Sequence, residues 1–220
     1  MRRIAWLGAL LAPLLLGACA TRAPKDYSAF QRARPAVILV LPPLNESPDI
    51  KATPAVWSSI TRPLAEAGYY VVPVTLADET FKQNGVTTSH DAQQIPADRL
   101  RQFFGADAAL YLRVSEYGTR YQVIVSETAV NVSARLVDLR DGALLWEGTA
   151  RASSAEQQQA GQAGLIGLLV QAVVNQIVSA TTDAAYGYAG VAGARLIGGP
   201  EGVLYGPRSP RSGQPPAQPR

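Results

Sequence analysis

The hydrophobic pattern changes period several times along the chain, and each change predicts an element. Ala36-Val37-Ile38-Leu39-Val40-Leu41 is an unbroken apolar run closed by Pro42-Pro43, the pattern of a strand covered on both faces. Thr53-Pro54 then opens a helix, with Trp57, Ile60, Leu64 and Ala67 on its inner side, Pro63 bending it and Gly68 ending it. Tyr69 to Val74 reads as a second strand, a short helix runs from Asp78 to Gln83, and Asn84-Gly85 turns the chain. Pro96 to Phe104 predicts a further helix, with Leu100, Phe103 and Phe104 inward and Gly105 closing it.

The middle of the chain alternates with period two. Leu110, Leu112 and Val114 oppose Tyr111 and Arg113 over Ala108–Glu116, and Tyr117-Gly118-Thr119 is the expected turn into a strand at Tyr121–Ser126. Val130, Val132, Ala134 and Leu136 alternate with Asn131, Ser133 and Arg135, which makes one dry face and one wet one. Asp141-Gly142 is a hairpin turn, with Leu144, Trp146 and Gly148 on one side of the returning strand. The order strand, helix, strand, helix and then a meander predicts an α/β (α+β) fold. Its mixed sheet has about five strands, with helices packed on it.

Gly161 to Ala185 has the pattern of a long helix. Leu165, Leu169, Ala172, Val173, Ile177 and Ala180 make a broad apolar face, against a stripe of Gln171, Asn175, Ser179 and Thr182. Gln162, Gln171, Asn175 and Gln176 interrupt it too often for a membrane span. The face is read first as core, with Leu165, Leu169, Val173 and Ile177 as a self-association or partner surface and a membrane-touching segment as alternatives. From Gly187 onward glycine and proline dominate, and residues 206–220 have the composition of a disordered tail.

The first residues carry an address. Arg2 and Arg3 precede a thirteen-residue apolar run from Ile4 to Leu16, too short to span ~30 Å of hydrocarbon and built like a secretory signal. Leu16-Gly17-Ala18-Cys19 resembles the bacterial lipobox, in which the cysteine is acylated and becomes the new N-terminus. Three acyl chains hold a protein on a membrane almost irreversibly, since each buried CH₂ contributes about 0.8 kcal/mol. Ala20 at the second mature position resembles the pattern that favours export to the outer membrane. The expected organisation is a signal peptide over 1–18 and a lipidated flexible tether over 19–34. A single domain over 35–205 and the tail over 206–220 follow. The tether is read as a spacer in preference to a headgroup-recognition segment.

Charge and composition narrow the chemistry. The chain of 220 residues has a net charge of +3, but the basicity sits at its ends. Residues 1–34 hold six Arg or Lys and one acid, residues 206–220 hold three Arg and no acid, and the body between is acidic. That distribution argues against nucleic acid as a partner. One cysteine and one histidine exclude disulfide frameworks and the usual zinc clusters, and no cofactor or small-molecule substrate is indicated. Ser89-His90-Asp91 holds the residue types of a catalytic triad, but consecutive side chains diverge, whereas a triad converges from separate elements. Gly187, Gly190 and Gly193 lack the strand–loop–helix context of a phosphate site. The tyrosines 69, 70, 111, 117 and 121 read as sheet packing, with a glycan-stacking surface as the alternative.

Several segments resemble one family. They are Phe104-Gly105-Ala106-Asp107-Ala108-Ala109-Leu110-Tyr111, Leu136 to Gly142 with Leu145 to Gly148, Gly164 to Leu169, and Leu204 to Pro210. Together they resemble a family of bacterial lipoproteins that includes a meningococcal surface antigen. The resemblance implies a fold similar to the N-terminal domain of TolB and kinship with the curli-secretion lipoprotein CsgG. It supplies no catalytic residues, and Cys19 alone maps onto a position of defined role. The functional expectation is a non-enzymatic, outer-membrane lipoprotein facing the periplasm. Its domain self-associates as a homo-oligomer and serves an envelope assembly such as a CsgG-like export complex. The alternative is an envelope hydrolase or glycan-binding protein using the tyrosine-rich sheet.

Overall fold

The computed structural model describes residues 25–121, 126–156 and 183–216. Cys19 and the apolar face Leu165, Leu169, Val173 and Ile177 lie outside the described residues.

The first elements are α1 (Ser28–Ala33), β1 (Val37–Val40), β2 (Leu44–Asn45), α2 (Ala52–Ser59), α3 (Thr61–Glu66) and β3 (Tyr70–Val71). Three helices follow, α4 (Val74–Gln83), α5 (Ser89–Gln94) and α6 (Ala97–Phe104). The chain then forms β4 (Ala108–Tyr121), β5 (Ser126–Asp138), β6 (Leu144–Ser153) and α7 (Ala184–Gly198). Among the described residues the sheet is mixed and six-stranded, in the order β3-β1-β4-β5-β6, with β2 also pairing with β4. β1 runs parallel to β3 and β4, and β4, β5 and β6 form an antiparallel meander. Pro42 and Pro43, which carry no N–H to donate, end the apolar run and separate β1 from β2, which pairs with the same long neighbour.

One face of the meander is sealed. Leu110, Leu112 and Val114 stand opposite Leu136, Ala134 and Val132, which in turn face Trp146, Gly148 and Ala150. α7 lies across β5 and β6 on this side and also packs on α2 and α3. Trp57, Ile60, Leu64 and Ala67 are buried as their spacing predicts. Pro63 cannot donate to the carbonyl four residues back, and the expected bend is a break between α2 and α3.

Several expectations need correction. The tether does not extend to residue 34: α1 is helical, Phe30 is buried against Tyr69 at 6.5 Å, and Tyr27 Oη donates to the Gly202 carbonyl at 2.6 Å. The tail is folded to residue 216, with Gly206 N and Arg208 N donating to the carbonyls of Ala67 and Gly68. Residues 187–198 are helical, because α7 uses its small residues to approach neighbours closely. A Cβ on Gly193 would stand 3.2 Å from Ile60 Cδ1.

Tyr117-Gly118-Thr119 is not a turn: β4 continues to Tyr121, and a bulge between Val114 and Glu116 shifts the alternation so that Tyr117 faces inward. A second irregularity, between Leu136 and Val137, buries both Leu145 and Trp146 and leaves Leu144 out. Phe103 is exposed, while Phe104 packs on Phe81 at 5.2 Å. The predicted strand over Tyr69–Val74 is only Tyr70–Val71, and Pro73 caps α4 instead. Ser89-His90-Asp91 forms the first turn of α5 after the Thr88 cap.

Candidate functional site

The bulge that turns Tyr117 inward leaves the opposite face of the meander polar. Three rows cross it in register. Tyr111 faces Arg135 and Arg135 faces Glu147; Arg113 faces Ser133 and Ser133 faces Thr149; Glu116 faces Asn131 and Asn131 faces Arg151. Gln93 of α5 borders the first two rows and is fixed there by donating to the carbonyls of Pro42 and Leu112, at 3.0 and 2.9 Å. The first two rows and Gln93, with Lys25 and Glu201 at the β6 edge, line an open groove of about 840 Å³, and the third row is not part of its lining.

Charged side chains on this face have partners of several kinds. Arg135 Cζ stands 5.9 Å from the Tyr111 ring centroid, and Arg113 pairs with Glu46. Arg151 bridges Glu116 at 3.1 Å and Glu127 at 2.8 Å. Lys25 donates to the Glu147 carbonyl and lies 5.2 Å from the Trp146 ring. Burial raises the Tyr111 phenol, with Arg135 opposing it. The bond from Arg151 holds the Glu127 carboxyl low, and the bonds to Glu127 and Glu116 raise the Arg151 guanidinium. Each of these three shifts moves its group further from titration near neutral pH. The groove is suited to recognition by charge and shape. A small-molecule pocket would be more apolar and more enclosed.

The other predicted sites are dispersed. Tyr69 is buried with its hydroxyl on the Leu204 carbonyl, and Tyr117 is buried with its hydroxyl on Asp183 at 2.8 Å. Tyr70 lies at the sheet end, so of the described tyrosines in that set only Tyr111 meets the groove. His90 pairs with Gln94 at 2.7 Å, and Asp91 with its own cap Thr88. Among the described residues no cluster of His, Cys, Asp and Glu could hold a metal ion, and no helix is long and apolar enough to cross a membrane. The row Tyr111–Arg135–Glu147 was not singled out from sequence. Its signal was the wet half of the alternation, and the pairing of those positions needs the strand register.

Comparison with known proteins agrees with this architecture. The family model described as "Putative lipoprotein GNA1162-like" matches residues 25–208. A "Putative lipoprotein NMB1124/NMB1162" of Neisseria meningitidis serogroup B is 48% identical over 203 residues, covering 90% of this chain and 94% of its own. The crystal structure of lipoprotein GNA1162 from Neisseria meningitidis aligns with a TM-score of 0.52 at 50% identity, over 66% of this chain and 99% of that one.

Proposed function

We propose a docking role, with no chemistry of its own, for this chain, which belongs to the GNA1162-like family of putative lipoproteins. In this reading the protein is acylated at Cys19, is held on the periplasmic side of the outer membrane, and serves as an accessory component of an envelope assembly. The observation that carries the reading is the half-covered meander. α7 seals one face, while the other presents an open polar groove lined by Lys25, Gln93, Tyr111, Arg113, Arg135 and Glu147. Such a surface matches the polar, charge-complementary character of a non-obligate protein interface. Self-association through Leu165, Leu169, Val173 and Ile177, and docking on a CsgG-like lipoprotein, are the finer parts of the proposal.

The test is a cross-linked pull-down with the lipidated protein as bait, beside an Arg135→Glu variant that reverses charge in the groove. The expected result is one envelope lipoprotein or export component recovered by the parent and lost with the variant. Identical recovery from both would remove the groove from the reading. Sizing the protein over a range of concentrations tests the self-association part, and a monomer throughout would dismiss it.

A further inference from the structure

We propose that the end of the sheet carrying Arg34, Tyr70 and Arg208 rests on anionic phospholipid headgroups of the membrane that holds the anchor. The proposal builds on the reading that Cys19 is acylated. Folding from Lys25 onward sets the first constraint: Lys25 and Tyr27 are already bonded to the body, through Glu147 and Gly202. The stretch from Cys19 to Lys25 spans at most about 21 Å fully extended, so the body cannot stand far from the bilayer.

The chain then reaches β1 at Arg34, the end where β1, β3 and β4 begin and β5 finishes. Arg208, from the folded tail, meets it there, with Nη1 3.4 Å from the Ala36 carbonyl and its guanidinium 5.7 Å from the half-exposed Tyr70 ring. Arg34, Pro207 and Ser212 share one 560 Å³ cavity, and Arg211 stacks 4.1 Å from Tyr205 on its wall. Among the described residues, Arg34, Arg208 and Arg211 take part in no ion pair.

The carboxylates at this end are already engaged. Asp107 accepts the N–H groups of Ala36 and Val37, Asp138 is clamped by Arg140, and Asp141 accepts from Ala143 N. Arg34 from the first basic segment and Arg208 and Arg211 from the last are thus brought to one end of the body, which presents guanidiniums without an ion-pair partner among the described residues and a half-exposed tyrosine, within reach of the lipid anchor. A basic surface of this kind is attracted to an anionic bilayer, and tyrosine favours the headgroup level.

The test uses the full lipidated protein in phosphatidylcholine vesicles with and without phosphatidylglycerol. A nitroxide on Ser212→Cys is the probe, read by relaxation from a nickel-chelating lipid. Strong relaxation is expected only with phosphatidylglycerol, is reversed by high salt in the unmutated patch, and falls about five-fold for each of Arg34→Gln and Arg208→Gln. Arg208→Lys retains it. Equal relaxation in both vesicles, or indifference to salt and to the substitutions, overturns the proposal. Flotation of the protein with neutral vesicles reports the anchor separately. If the anchor is absent, flotation with anionic vesicles alone still supports the patch, and flotation with neither rejects it.

Discussion

Ser209 lies directly over Gly68: a Cβ on Gly68 would stand 2.5 Å from Ser209 N and 2.8 Å from Ser209 Cβ. The same glycine has φ +96°, a region that side chains strain to adopt, and its carbonyl accepts from Arg208 N. One residue therefore both ends the α3 segment and seats the C-terminal loop.

Gly68→Ala is expected to destabilise the protein by about 2–4 kcal/mol, combining the left-handed backbone with the collision. Hydrogen exchange would show the opening concentrated at residues 205–214. Uniform loss of protection would show that the loop is not seated by this contact.

Phe30→Ala distinguishes a packed N-terminal helix from a spacer. Phe30 is 3% exposed, so removing its ring is expected to cost about 3–5 kcal/mol in denaturant unfolding. A spacer residue would cost nothing.

Asp138 supplies a pH dependence. Its carboxyl is held below the ordinary value, first by the side-chain bond from Arg140 and also by the Arg140 N–H. A lowered folded pKa contributes stability that is present above the unfolded value near 3.9 and is lost as pH falls through the folded one. Because Arg140 is partly exposed, Asp138→Asn is expected to cost only about 1–2 kcal/mol at pH 7. Thermal melts between pH 7 and pH 2 should converge for variant and parent at the acid end.

Gly148 sits beneath Trp146, and a Cβ there would approach Cζ2 to 2.5 Å. Gly148→Val is expected to displace the indole, break its Nε1–H bond to the Glu201 carbonyl (2.8 Å) and cost about 1–3 kcal/mol. Trp146 fluorescence should shift to the red as the ring meets water.

Cys19→Ser removes the thiol that acylation requires. Detergent-phase partitioning and intact mass should show loss of the acyl chains and retention of the signal peptide. An acylated, processed variant would place the anchor elsewhere.

The sequence by itself determined the elements whose signal is local. The apolar run at 36–41, the Trp57–Ile60–Leu64 spacing and the alternation over 108–114 and 130–136 each reappear as packed structure, because residues two, three or four apart share a face once φ and ψ are set. The split at Pro63 followed from a missing N–H. Tertiary structure decided what local pattern cannot carry. Helix propensity would not choose Gly187 to Gly199, but the close approach of Gly193 to Ile60 makes small residues an asset there. The segments 28–33 and 206–216 look like polar spacers and are held by Phe30, Tyr27, Gly68 and Arg208, through partners as much as 175 residues away. The meeting of Arg208 with Ala36 and Tyr70, and the row Tyr111–Arg135–Glu147, exist only through strand order and register, which are properties of the assembled sheet and of no single segment.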